Sequence, residues 1–91
     1  MNQWEIVLSR GSLKFLRKNR FSETVATEAV ITAIKKLSGE EINLDLKKLH
    51  PPYAGYFRVR SGRLRIIFNV DFTAHVAGVI EINWRGSAYQ S

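Results

Sequence analysis

Hydrophobic and polar positions recur at two periods along this chain, and the change of period divides it into elements. In "QWEIVL", residues 3–8, Trp4, Ile6 and Leu8 alternate with Gln3 and Glu5, the pattern of a short strand with one buried face. From residue 10 the spacing lengthens. Leu13 and Leu16 mark the inner side of a helix and Lys14, Arg17 and Lys18 its outer side, with Ser9 or Ser12 as the N-cap and Asn19 and Arg20 at the close. Ser22 caps a longer helix, and Glu23 stands near the positive end of its dipole. Its inner stripe runs through Ala26, Ala29, Val30, Ala33, Ile34 and Leu37, with Lys35 and Lys36 in the last turn and Gly39 just beyond.

Residues 40–53 read as a connection with Leu44, Leu46 and Leu49 tucked beneath it, and Pro51 with Pro52 stops regular structure there. Alternation then returns over 56–60, 63–72 and 75–83, with Gly78 marking a bulge or a close backbone approach. A strand, two helices and three more strands predict an α+β domain: an N-terminal strand and a two-helix hairpin on a mostly antiparallel sheet of about four strands.

The stretch "GYFRVRSGRLRIIF", residues 55–68, holds the most informative pattern. Ser61 and Gly62 suit a two-residue hairpin turn, which sets Arg60 opposite Arg63 and Arg58 opposite Arg65. Opposed residues share a sheet face, as do residues two apart. All four arginines then fall on one face, and Phe57, Val59, Leu64, Ile66, Phe68 and Val70 fall on the core face. Opposed like charges cost up to roughly 1 kcal/mol per pair. Two readings answer that cost. The arginines snorkel or pair with carboxylates such as Asp71 or Glu81, or a bound polyanion relieves the repulsion, since guanidinium matches phosphate oxygens bidentately.

Composition narrows the choice. The 91 residues suffice for one domain, 1–91, with 45% hydrophobic and 24% charged residues as in ordinary globular chains. Fourteen Lys and Arg against eight Asp and Glu give a net charge of +6, which calls for a polyanionic partner, nucleic acid or an acidic protein. The absence of cysteine excludes disulfides, thiolate metal sites and a cysteine nucleophile. No apolar run nears the ~20 residues of a membrane span, and "MNQWEIVLSRG" lacks the order of a secretory signal, so no membrane partner and a cytoplasmic location are expected.

"GYFRVRSGRLRIIF" resembles the hairpin core of the RelE/ParE toxin superfamily, a glycine, aromatic and arginine pattern repeated across a turn. "EINWRGSAY" resembles that superfamily's closing motif, in which an arginine precedes a tyrosine by four positions. On its RelE-like side the resemblance implies a toxin of a type II toxin–antitoxin pair, an endoribonuclease that cuts messenger RNA in the ribosomal A site without a metal. It also implies neutralisation by a cognate antitoxin, with a toxin–antitoxin hetero-oligomer among the arrangements open to it. Carried onto matching positions, the catalytic residues are Arg58, Arg60, Arg65, Arg85 and Tyr89. Leu64, Arg63 and Trp84 depart from the pattern: a tyrosine is usual at the first, an acid is common at the second, and a small residue, His or Lys is frequent at the third. Trp84 reads as strand-end core or as a stacking platform for a base.

Arginines suit stabilisation of a phosphorane and suit proton transfer poorly, because guanidinium stays charged. Tyr89 is the better proton-handling candidate, although its ordinary pKa near ~10 must fall for it to act as a base. His50 lies in the connection, where it could border the hairpin face, and is a candidate RNA contact with Arg63, Lys47 and Lys48, while His75 belongs to the opposite end of the sheet. Neither histidine has acids at ligand spacing, so no metal and no cofactor are expected. Arg10, Lys14, Arg17, Lys18 and Arg20 form a positive stripe that reads as a solvated helix face or a contact to ribosomal RNA. Two alternatives stay open, a ParE-like toxin acting on DNA gyrase and a non-catalytic RNA-binding module.

Overall fold

Residues 3–86 are described by the structure, a computed structural model. Strand β1 (Glu5–Leu8) runs straight into helix α1 (Arg10–Lys18) through Ser9. Ser9 Oγ accepts the Ser12 N–H at 3.1 Å and lies within hydrogen-bond distance of Ser12 Oγ and of the Ile80 carbonyl. Of the two candidate caps, Ser9 is therefore the cap, and Ser12 is fully buried beneath it. Helix α2 (Glu23–Leu37) begins at Ser22, whose Oγ accepts the Thr24 N–H at 3.0 Å. Ala26, Ala29, Val30, Ala33 and Ile34 are its buried stripe, as the helical spacing predicts. Just past its end Gly39 takes φ +109°, a conformation that side chains resist, and Lys36 Nζ donates to the Ile42 carbonyl at 2.6 Å.

The chain then builds β2 (Asp45–Lys48), β3 (Tyr56–Ser61), β4 (Leu64–Asp71) and β5 (Val76–Trp84) as a meander. The sheet order is β1-β5-β4-β3-β2, with β1 parallel to β5 and the other three pairings antiparallel. The two helices cross one face between the two edges. The expected α+β class holds, and one strand is added: Asp45–Lys48, read from sequence as connection, pairs with β3 as an edge strand. "DLKK" offers a single apolar residue, and charge is what an exposed edge tolerates.

Leu16, Val30 and the α2 alanines pack against Val59, Leu64, Ile66, Phe68, Ala77, Val79 and Ile82 to form the core. Leu44 and Leu46 pack on its rim as expected. Among the described residues no helix is long and apolar enough to cross a membrane. Among the described residues both helices lie on one face of the sheet, which leaves the opposite face without a helix.

Candidate functional site

The hairpin turn sits one residue later than the Ser61–Gly62 assignment. Ser61 pairs with Leu64, so Gly62 and Arg63 are the loop, with Gly62 at φ +58° in the first central position that a II′ turn reserves for glycine. Moving the turn by one shifts every pairing by two: Arg60 faces Arg65 and Arg58 faces Ile67. An even shift preserves which face each side chain takes. Arg58, Arg60 and Arg65 therefore share the helix-free face as expected. Arg63 does not join them, because it is in the turn. Two like-charge pairs stand directly opposed on this face, Arg60 with Arg65 and Lys47 with Arg58.

A row across the sheet reads Asp45, Arg60, Arg65, Asn83, and the next reads Lys47, Arg58, Ile67, Glu81. Asp45 Oδ1 accepts from Arg58 at 2.6 Å, and Asp45 Oδ2 accepts from Arg60 at 3.3 Å and lies 3.9 Å from Arg85. One carboxylate thus gathers three of the cations predicted for the site. Arg65 instead donates to Glu81 at 3.1 Å. Asp71, the other carboxylate proposed as a partner, caps the β4–β5 turn through the Thr73 and Ala74 N–H groups.

Glu81 reaches this face because of a bulge. Ile67 pairs with Glu81 but Phe68 pairs with Val79, so Ile80 is an extra residue in β5. Before it Ala77 and Val79 point to the core; after it Ile82 and Trp84 do, and Glu81 and Asn83 turn to the arginines. Gly78 is not the bulge. A Cβ there would lie 2.9 Å from Asn69 Oδ1, which accepts the Gly78 N–H at 3.0 Å.

The arginines are largely enclosed by one another and by the sheet: their side chains are 13%, 17% and 21% exposed for Arg58, Arg60 and Arg65. Arg85 is 51% exposed and sits at the open edge of the cluster. Burial, and then the neighbouring Arg60, hold the Arg58 guanidinium below its usual range against the opposing pull of Asp45, and Arg65 lowers it further. Among the described residues the buried Nε atoms of Arg58 and Arg65 have no hydrogen-bond partner. These donors point to a site with more hydrogen-bonding capacity than its two carboxylates fill.

A small cavity of about 140 Å³ opens beside them, lined by Leu49, Tyr53, Arg58, Arg65, Ile67 and Glu81. Tyr53 is the residue that sequence reasoning missed. It lies just past Pro51–Pro52 and puts an aromatic hydroxyl-bearing side chain at the arginines, while the candidate His50 is exposed in the turn and is not among the lining residues. Leu49, expected under the connection, faces this cavity instead. Lys47 pairs with Arg58 and shares the arginine face; Lys48 pairs with Phe57 and takes the other. Tyr89 lies outside the described residues. Trp84 packs with Phe15 and Phe21 on the core side, and the Arg63 guanidinium lies over its indole, 5.1 Å from the centroid. Arg10, Lys14, Arg17 and Lys18 are exposed along α1 beside Leu13, bordering an open groove of about 510 Å³. His75, stacked on Trp4, is at the far end of the sheet from the hairpin turn. Among the described residues no group of three or more histidines and carboxylates comes together as metal ligands would.

No family model and no curated protein matches the chain. Solved structures do. The chain is similar to the toxin–antitoxin complex RelBE2 from Mycobacterium tuberculosis, at 21% identity and TM-score 0.59 over 90% of this chain and 98% of that one. It is similar to the RelB–RelE antitoxin–toxin complex from Methanococcus jannaschii, at 20% identity and TM-score 0.57 over 92% and 95%. A third likeness is to the YoeB–YefM complex from Staphylococcus aureus, at 14% identity and TM-score 0.60 over 91% and 98%. The chain shares the fold of these structures.

Proposed function

We propose that this chain is the toxin of a type II toxin–antitoxin pair, that it cleaves messenger RNA in the ribosomal A site, and that a cognate antitoxin neutralises it. The observation that carries the reading is the capture of Asp45 by Arg58, Arg60 and Arg85 beside Arg65 on the helix-free face. A carboxylate gripped at both oxygens occupies the position that two phosphate oxygens would take. The likeness to chains from toxin–antitoxin complexes supports the same reading and the antitoxin partner.

In this reading the RNA 2′-oxygen loses its proton and attacks the adjacent phosphorus, the P–O5′ bond breaks, and the 5′-oxygen takes up a proton. The products are a 2′,3′-cyclic phosphate and a 5′-hydroxyl. Charge accumulates on the non-bridging oxygens in the transition state, where fixed guanidinium donors act most strongly, each contributing ~10²–10³ in rate. Arg58, Arg60 and Arg65 are fixed by the strands that carry them, and Arg85 closes the site from beyond β5. Tyr89 handles the proton in the reading that the resemblance implies. The ribosome supplies the remaining requirement by holding the messenger in a reactive geometry.

Purified ribosomes programmed with a defined messenger and an empty A site provide the test, with primer extension as the readout. A new 5′-hydroxyl end within the A-site codon, absent with Arg65→Ala, is the expected result. Uncut messenger at stoichiometric protein would refute the reading.

A further inference from the structure

The geometry points to a nucleobase-stacking subsite at Arg63 and Trp84, next to the phosphate-binding arginines. It rests on the reading that the arginine face holds RNA phosphates, and it adds a contact to the base.

A cavity of about 500 Å³, open to solvent, lies at the hairpin end of the sheet, lined by Arg60, Gly62, Arg63, Trp84, Arg85 and Gly86. Its lining joins two groups of different chemistry. Arg60 and Arg85 are two of the cations that hold Asp45. Arg63 and Trp84 form a cation–π pair, with the guanidinium over the indole at 5.1 Å from its centroid. The wall contains three arginines, a tryptophan and no carboxylate. That combination suits a ligand with an anionic group and a planar ring on one frame, which describes a nucleotide.

The pair is built to stay in place. Phe15 and Phe21 meet the Trp84 indole at 62° and 59°, with centroids 5.3 and 5.9 Å away, which fixes the ring against the core. The Arg85 N–H donates to the Arg63 carbonyl at 2.7 Å, tying the hairpin turn to the segment after β5. Arg63 itself is exposed, which leaves its guanidinium open to a ligand from solvent. A base entering the cavity stacks against the guanidinium, which the indole backs. Its own phosphate then falls toward Arg60 and Arg85. A lysine at 63 would keep the charge and the cation–π contact but lose the plane.

The test compares two labelled 2′-O-methyl hexamers, one of adenosines and one abasic, which share a backbone and lack an attacking hydroxyl. Fluorescence anisotropy gives both affinities for the wild-type protein, Arg63→Lys and Arg65→Ala. The adenosine hexamer should bind about tenfold more tightly than the abasic one, the scale of stacking a single base. Arg63→Lys should erase most of that ratio, and Arg65→Ala should weaken both hexamers alike. Emission from Trp84, isolated by Trp4→Phe, should respond to the adenosine hexamer and not to the abasic one. Equal affinity of the wild type for both hexamers, or a ratio that survives Arg63→Lys, overturns the subsite alone. Abasic affinity that Arg65→Ala does not change overturns the arginine-face reading beneath it.

Discussion

Asp45→Asn is the most informative single change, because Asp45 both stabilises the fold and occupies the proposed phosphate position. Its bond to Arg58 is short and the Arg58 side chain is 13% exposed, while Asp45 itself is 41% exposed. A hydrogen bond between charged groups contributes roughly 1.5–3 kcal/mol, and the exposure of Asp45 puts this one near the lower figure, about 1.5. The longer Arg60 contact adds about 0.5 kcal/mol, and the contact to half-exposed Arg85 adds nothing measurable. The loss is then about 2 kcal/mol, or about 8–16 °C in Tm for a domain of this size. Salt should shrink the deficit by screening the arginines that Asp45 no longer neutralises. Binding should move the other way. A phosphate that enters the wild-type site must displace Asp45, whereas the variant has already lost that contact, so affinity for an RNA hexamer rises by up to about 30-fold. Thermal melts at two salt concentrations and anisotropy titrations check both halves. An unchanged Tm would refute the energetic reasoning. Weaker RNA binding by Asp45→Asn would show that Asp45 holds the arginines in place rather than standing where a phosphate goes.

Gly78→Ala should cost about 1–2 kcal/mol in denaturant unfolding, by pushing Asn69 off the Gly78 N–H, and the cost should shrink in an Asn69→Ala background. Ser9→Ala should lower stability by about 1–2 kcal/mol, since the hydroxyl caps α1 and lies against the bulge carbonyl of Ile80. The same melts would expose an error there, because a loss under a few tenths of a kcal/mol would mean the cap is not stabilising.

The helices were legible because caps, stripes and last-turn lysines all agreed, and the helix-free arginine face was legible for a different reason. Side-chain parity survives a turn misplaced by one residue, since the pairing then slips by two; Arg63, the one arginine inside the turn, had no such protection. Asp45 was hidden because its strand reads as a polar connection, and only the β2–β3 pairing sets it beside Arg60. Glu81 left a visible trace, the break in alternation between Val79 and Ile82, which a bulge explains. The parallel pairing of β1 with β5 joins segments some seventy residues apart and leaves no mark on local periodicity. Tyr53 sits in a Pro-rich turn whose path, not its pattern, brings it to the arginines.

Cleavage of translated messenger by the arginine site is checked by mapping transcript 5′ ends in cells after brief induction, with wild type compared against the Arg65→Ala, Arg85→Ala double variant. New ends are expected at in-frame positions within translated regions, carrying 5′-hydroxyls and absent from the variant. Growth arrest with intact transcripts would contradict it and direct attention to DNA gyrase.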